Sequence, residues 1–230
     1  MSYFLTPARS NAKTALTASV VESVILHLSP SDLSGRNVCP FASAGCRSAC
    51  LNTSGRGTMD SVQSARLRKT QLLFENKYEF WRLLVEDLER LSRRADKKGL
   101  QAVARLNGTS DLPWERMRDP LSGLTVFEMF PEVTFYDYTK VPGRRNLPKN
   151  YHLTFSLAED NREQALSELA DGRNVAVVFA SEHFPTEYMG YPVVSGVESD
   201  LRYLDAPGVI VALCAKGQAK TDTSGFVQAN

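Results

Sequence analysis

Three cysteines lie close together in the chain, at Cys39, Cys46 and Cys50, with the spacing C-x6-C-x3-C. Gly45 and several serines and alanines separate them, and small residues allow a backbone to curl tightly enough for three sulfurs to approach one point. An odd number of neighbouring cysteines cannot pair completely as disulfides, so the pattern favours metal ligation. The alternative is that the three thiols are small buried hydrophobic groups in a tight loop.

The spacing also bears on which metal group the loop would hold. Structural zinc sites are usually closed by four protein ligands, and their cysteines tend to come in C-x2-C pairs, which this sequence lacks. Wider spacings suit a loop that surrounds a larger object, such as a 4Fe–4S cluster. We therefore predict an iron–sulfur cluster held by Cys39, Cys46 and Cys50, with zinc as the alternative.

Two further residues remain open as metal ligands. Cys214 lies inside a predicted strand, where it is either a fourth ligand or part of the core. His27 precedes the cysteine loop in another predicted strand, where it is either a ligand or structural. If only the three neighbouring cysteines bind, one iron of the cluster remains open for a small ligand or a substrate.

The elements that would position the loop alternate between strands and helices. Apolar runs bounded by turn residues predict strands over 23–28, 101–106, 133–139, 151–156, 174–179 and 208–215. Apolar periodicity predicts helical structure over 62–97, with a break near Asn76 and an end at Gly99, and further helices over 126–130 and 161–170. This alternation implies a mostly parallel sheet. The predicted fold is α/β, a partial (βα)6 barrel, with an open doubly wound sheet as the alternative.

Length and composition are those of an ordinary globular protein, with 230 residues, 43% hydrophobic and 23% charged. We expect a single α/β domain over 1–230, with an N-terminal arm at 1–20, the cysteine loop at 38–58 and a polar C-terminal tail at 218–230. The net charge of +1 gives no general attraction to nucleic acid or to membranes. No apolar run approaches the ~20 residues of a membrane span, and the first residues lack the order of a signal peptide. We therefore expect a cytoplasmic protein, in which thiols stay reduced.

Polar side chains follow the predicted strands at their carboxyl ends, where parallel α/β folds gather their chemistry. The candidate catalytic residues are Asp111, Asp137 and Lys140, and the candidate cofactor-binding residues are Asn107, Ser156 and Lys216. Asp111 could instead form an ordinary Asx turn. A buried Asp137 needs a partner, for which Lys140 and Lys216 are the candidates, and such an ion pair could be purely structural.

Short stretches spread over nearly the whole chain carry a family resemblance, namely 27–30, 34–35, 39–43, 45–46, 50–51, 105–111, 114–115, 135–140, 151–156, 200–202, 205, 215–217 and 224–227. In these stretches the chain resembles a family of bacteriophage proteins related to mycobacteriophage gene product 88. The resemblance implies a phage protein in the host cell cytoplasm, and it implies no particular activity.

The order of elements also resembles that of radical S-adenosylmethionine enzymes, which carry three cluster cysteines after the first strand of a partial barrel. In those enzymes the second strand ends in a glycine-rich loop that meets the cofactor, and here residues 107–110 read Asn-Gly-Thr-Ser. The spacing C-x3-C-x2-C and the Gly-Gly-Glu motif typical of those enzymes are both absent. The resemblance thus implies cluster binding more strongly than binding of S-adenosylmethionine.

Two functions follow from these observations. The first is an iron–sulfur enzyme that acts on an unidentified substrate at the strand ends, with S-adenosylmethionine as a possible second cofactor. The second is a binding module braced by zinc or an iron–sulfur cluster, in which the arginine- and lysine-bearing helices over 66–98 contact nucleic acid or a host protein.

Overall fold

The computed structural model describes residues 3–7 and 18–229. Its strands are β1 Thr6–Pro7, β2 Val21–Ile25, β3 Gln101–Arg105, β4 Thr134–Thr139, β5 Tyr151–Ser156, β6 Val175–Phe179, β7 Glu187–Tyr188, β8 Tyr191–Ser195 and β9 Ile210–Cys214. Its α-helices are α1 Ala44–Ser48, α2 Asp60–Glu75, α3 Lys77–Lys98, α4 Val126–Met129 and α5 Arg162–Ala170. Most of the predicted arm over 1–20 lies outside the described residues.

The strands form one mostly parallel sheet in the order β1-β2-β3-β4-β5-β6-β9-β8-β7. From β2 to β6 and on to β9 every neighbouring pair is parallel, and the strands follow the order of the chain. Antiparallel strands β1 and β7 lie at the two edges. The α/β class and the mostly parallel sheet are confirmed, and the described strands do not close into a barrel.

Two consecutive helices, α2 and α3, cover one face of the sheet next to the cysteine loop. The predicted break is confirmed, because Asn76 ends α2 and its side chain accepts a hydrogen bond from the Glu79 N–H at the start of α3. The predicted end is confirmed as well, since Gly99 adopts the left-handed conformation with φ 63°. The start of α2 differs from the prediction. The helix begins at Asp60, two residues before the predicted range, with Met59 as its N-cap residue.

Apolar side chains of α3 supply the core on this face. The buried residues of the helix are Phe80, Trp81, Leu84, Leu88, Leu91 and Ala95. They pack with the strand residues Val24, Ala104 and Phe135 and with the fully buried Trp114. Because α3 fixes β2 and β3 from this side, the loops that leave the carboxyl ends of both strands begin at defined positions.

The opposite face of the sheet is covered by the segment over 200–205. Asp200 accepts hydrogen bonds from Arg105 at 2.8 Å and from the Tyr136 hydroxyl at 3.2 Å. Leu201 and Tyr203 pack against Tyr136 on the same face. Within the described residues, no helix is long and apolar enough to cross a membrane.

Candidate metal centre

The cysteine loop is anchored to the rest of the fold by Glu159, which follows β5. One carboxylate oxygen accepts from the Ser43 hydroxyl at 2.8 Å, and the other accepts from the Gly45 N–H at 2.6 Å. Ser43 is also the N-cap of α1, since its hydroxyl oxygen accepts from the Cys46 N–H at 3.1 Å. A single carboxylate therefore fixes the turn that carries the second cysteine.

Gly45 is required at this anchor for steric reasons. A Cβ atom added here would lie 2.2 Å from the Ser224 hydroxyl, 2.8 Å from a Glu159 oxygen and 2.8 Å from the Phe226 Cβ. Such separations are far shorter than normal contacts, so any side chain would push the cysteine loop away from Glu159 and from the C-terminal segment.

The three thiols of Cys39, Cys46 and Cys50 are free and partly buried, and they lie within electrostatic range of one another. Burial, with smaller contributions from the neighbouring thiols of Cys50 and Cys46, raises the pKa of Cys39 to about 11. Burial also raises the pKa of Cys50. Two of the sulfurs accept backbone hydrogen bonds, Cys39 from the Ser31 N–H at 3.3 Å and Cys50 from the Asn52 N–H.

Within residues 3–7 and 18–229, no group of three or more His, Cys, Asp or Glu side chains is arranged to hold a metal ion. Cys214 lies in register with Phe179, and its thiol faces the Ser181 carbonyl at 3.8 Å. Burial lowers the pKa of His27 to about 3, and the nearby charges of Arg66, Arg105 and Lys69 act in the same direction. His27 is therefore neutral at physiological pH.

Three of the predicted site residues lie next to the cysteine loop. Asp111 joins it through its N–H, which donates to the Val38 carbonyl at 2.8 Å, and its carboxylate accepts from the Lys140 N–H at 2.7 Å. The Lys140 ammonium donates to the Ser156 hydroxyl at 2.8 Å. Its positive charge also lowers the pKa of Cys50, so the lysine lies within electrostatic range of the thiols. Burial raises the pKa of Asp111.

Two other predicted residues, Asn107 and Asp137, build the loop that follows β3. The Asn107 side-chain oxygen accepts from Ser110, from the Leu112 N–H and from the Trp114 indole. Asp137 is fully buried and accepts from the N–H groups of residues 106 and 107 and from the hydroxyl of residue 151. The expected lysine partners of Asp137 are therefore replaced by backbone amides, a tyrosine and the Arg105 guanidinium, whose Nε lies 4.0 Å from the carboxylate.

The remaining predicted residue, Lys216, is exposed and precedes the 3₁₀-helix Gly217–Thr221. A Cβ on Gly217 would lie 2.9 Å from the Ser54 Cβ, so this turn packs against the segment that follows Cys50. The predicted C-terminal tail is thus part of the site: Phe226 is buried beside Cys46, and its ring lies 5.3 Å from the Lys140 ammonium.

Three residues of the site were not predicted from the sequence, namely Glu159, Arg66 and Phe226. Glu159 follows a strand end, which is the rule that identified the other polar candidates, so the same signal could have found it. Arg66 is 8% exposed, although the periodicity of its helix is compatible with a solvated arginine. Phe226 and Val227 form the one apolar pair in a polar tail, and that pair was the signal for its packing.

Fold and site together define a mixed α/β protein in which a three-cysteine loop lies beyond the first parallel strand of a mostly parallel sheet. Residues 5–230 match the family model described as Gene product 88. The chain therefore belongs to the gene product 88 family of phage proteins. No curated protein and no solved structure gives a significant match.

Proposed function

We propose that this protein binds an iron–sulfur cluster through Cys39, Cys46 and Cys50. The observation that carries the proposal is the grouping of three reduced thiols at one edge of the sheet, each within electrostatic range of another. Cysteine thiolates are the ligands of such clusters, and hydrogen bonds to their sulfurs tune the reduction potential. The Ser31 and Asn52 N–H groups already supply two such bonds.

The donor set favours a cluster over a structural zinc ion. A closed zinc site needs four tetrahedral ligands, whereas Cys214 faces the Ser181 carbonyl and His27 is enclosed among positive charges. Three thiolates suit a 4Fe–4S cluster that keeps one iron without a protein ligand. When bound, such a cluster supplies one-electron reduction and a position at which a substrate or S-adenosylmethionine can bind.

The protein's own residues at the edge would then bind and orient that molecule. Among the described residues the Lys140 ammonium donates one hydrogen bond, to Ser156, and its other donors can bind a carboxylate or another anionic group. Asp111 fixes the position of Lys140 by accepting its N–H at 2.7 Å. Lys140 is accordingly the residue that we assign to ligand binding, with Asp111 as the residue that positions it.

The strand order supports a partial βα barrel as the scaffold. A doubly wound sheet reverses its strand order at a central switch point. Here β2 to β6 and β9 follow one another in chain order, and the order reverses only beyond β9, at β8 and β7. That order is the one found in βα barrels, which bear their active sites at the carboxyl ends of the strands. The cysteine loop, Asp111 and Lys140 all follow carboxyl ends.

The alternative of a nucleic-acid-binding helix is less well supported. The arginines of α3 are largely paired with acids on the same helix or on β2, as in Arg82 with Glu79 and Glu86, Arg90 with Glu86 and Asp87, Arg93 with Glu89, and Arg94 with Glu22. These pairs offset the positive charge that phosphate binding requires.

The test is metal analysis of protein purified and reconstituted without oxygen. Wild-type protein should contain iron and acid-labile sulfide in equal amounts and absorb visible light. Cys39→Ser, Cys46→Ser and Cys50→Ser should each abolish or sharply reduce the iron and sulfide content and the visible absorption. Cys214→Ser should retain all three. Zinc in place of iron, or equal losses in all four variants, would overturn the proposal. A further assay with S-adenosylmethionine and a reductant would separate a radical enzyme from a protein that only binds the cluster.

A further inference from the structure

Arg66, on α2, is a buried cation that forms no ion pair with an acid among residues 3–7 and 18–229. Its side chain donates a hydrogen bond to the Asn52 side-chain oxygen. Within the described residues its Nε has no hydrogen-bond partner, and no carboxylate pairs with its guanidinium. Buried charges are normally paired, because removing an ion from water costs several kcal/mol. In the described part of the chain, Arg66 therefore has no carboxylate to balance its charge.

A second cation lies one turn further along the same helix. Lys69 is largely buried, its ammonium lies 5.5 Å from the centre of the Phe4 ring, and burial together with the charge of Arg66 lowers its pKa to about 8. The two charges also help to keep His27 neutral. Of the two cations, Arg66 is the one whose charge acts on the Cys50 thiol, whereas Lys69 lies within electrostatic range of Asp87.

Arg66 also holds the segment that carries the third cysteine. Asn52, its hydrogen-bond partner, is buried and donates to the Gln63 side-chain oxygen at 3.0 Å. Gln63 in turn donates to the Asn52 carbonyl at 3.0 Å. The Asn52 N–H donates to the Cys50 sulfur. Two side chains of α2 therefore orient the residue that hydrogen-bonds to a candidate ligand.

We propose that Arg66 is a positioning residue whose missing counter-charge is the metal–thiolate centre itself. The proposal rests on the proposed function. Metal binding requires deprotonated cysteines. The three thiolates carry more negative charge than the metal group offsets, so the loaded loop has a net negative charge. Arg66 supplies the balancing positive charge and, through Asn52, orients the hydrogen bond to Cys50. In this arrangement α2 contributes to the electrostatics of the centre without contributing a ligand.

The first test measures the reduction of the reconstituted centre in Arg66→Gln, Arg66→Lys and the control Arg68→Gln, which removes the same charge from an exposed position two residues away. Loss of a nearby positive charge disfavours reduction. At a fixed ambient potential, Arg66→Gln should lower the ratio of reduced to oxidised centre about tenfold, or 59 mV for one electron. Arg66→Lys should retain most of the wild-type ratio, and Arg68→Gln should match wild type.

The second test uses the metal-free protein and needs no cluster. Without the metal, a charge at position 66 is not balanced, so Arg66→Gln should unfold at a higher temperature than Arg66→Lys. In the loaded protein the order of metal retention should reverse, with Arg66→Lys losing iron to a chelator more slowly.

The outcomes separate the two proposals. If the wild-type protein binds no iron and sulfide, the proposed function fails and the assignment of Arg66 fails with it. If the wild type binds a cluster and Arg66→Gln has the wild-type ratio and retention, only the assignment of Arg66 fails. A metal-free Arg66→Gln that is less stable than Arg66→Lys would also overturn the assignment, because the charge would then be balanced within the protein.

Discussion

Replacing Glu159 with alanine should release the cysteine loop from the sheet. The change removes the acceptor of two hydrogen bonds, from the Ser43 hydroxyl at 2.8 Å and from the Gly45 N–H at 2.6 Å. Gly45 is buried, so its N–H would be left without an acceptor. Ser43 would lose the bond that orients its hydroxyl as the cap of α1.

The magnitude follows from these two bonds. A hydrogen bond to a charged group contributes about 1.5–3 kcal/mol when buried, and Glu159 is partly exposed, so water offsets part of the loss. We expect the free energy of unfolding to fall by about 2 kcal/mol for Glu159→Ala, and by about half of that for Glu159→Gln, which keeps one acceptor. For a chain of this size, about 2 kcal/mol corresponds to a Tm decrease of roughly 4–8 °C.

The assay is thermal and urea unfolding of the metal-free variants, followed by iron retention after reconstitution. The matched control is Asp160→Ala, which removes the same charge from the exposed neighbouring residue and should leave both measurements unchanged. A Glu159→Ala protein as stable as Asp160→Ala, and with equal iron retention, would refute the reasoning that this carboxylate anchors the loop.

Two further predictions concern the same region. Gly45→Ala should destabilise the protein by about 1–3 kcal/mol and reduce iron retention, because its Cβ would meet Ser224, Glu159 and Phe226. Urea unfolding measures the change in stability. A Gly45→Ala protein as stable as the control Ser48→Ala, at an exposed position, would contradict the prediction. Burial raises the pKa of Asp137 from 3.8 to about 7, so the folded state binds the proton more tightly than the unfolded state does. The free energy of unfolding should therefore fall as the pH rises from about 4 to about 7 and level off above that range, whereas Asp137→Asn should lack this component; a variant with the wild-type pH profile would show that Asp137 is already ionised at low pH.

Six strands were predictable because each is an apolar run that ends in turn residues, although β2 lies at Val21–Ile25 rather than over the predicted 23–28. β6, with the sequence Val-Ala-Val-Val-Phe, lies at residues 175–179 inside the predicted range of 174–179. The hairpin of β7 and β8 was harder to predict, because β7 has only two residues and Pro192 interrupts β8. The mostly parallel sheet could be predicted from the alternation of strands and helices. The additional strands β1, β7 and β8 at the edges could not.

The candidate site was predicted in outline but not in its supporting contacts. Position after a strand identified Asp111 and Lys140, because carboxyl ends of parallel strands meet at one edge. The same rule could not distinguish Glu159, which anchors the loop, from the exposed Asp160 beside it. Nor could helical periodicity show that Arg66 is buried, since its burial depends on how the segment after Cys50 folds over α2.

The most direct test of the central claim is an anaerobic crystal structure of the reconstituted protein, with diffraction recorded on both sides of the iron absorption edge. The account predicts anomalous density from iron in contact with the sulfurs of Cys39, Cys46 and Cys50, and none beside Cys214. Density at the zinc edge alone, or the three sulfurs separated with no metal between them, would contradict it.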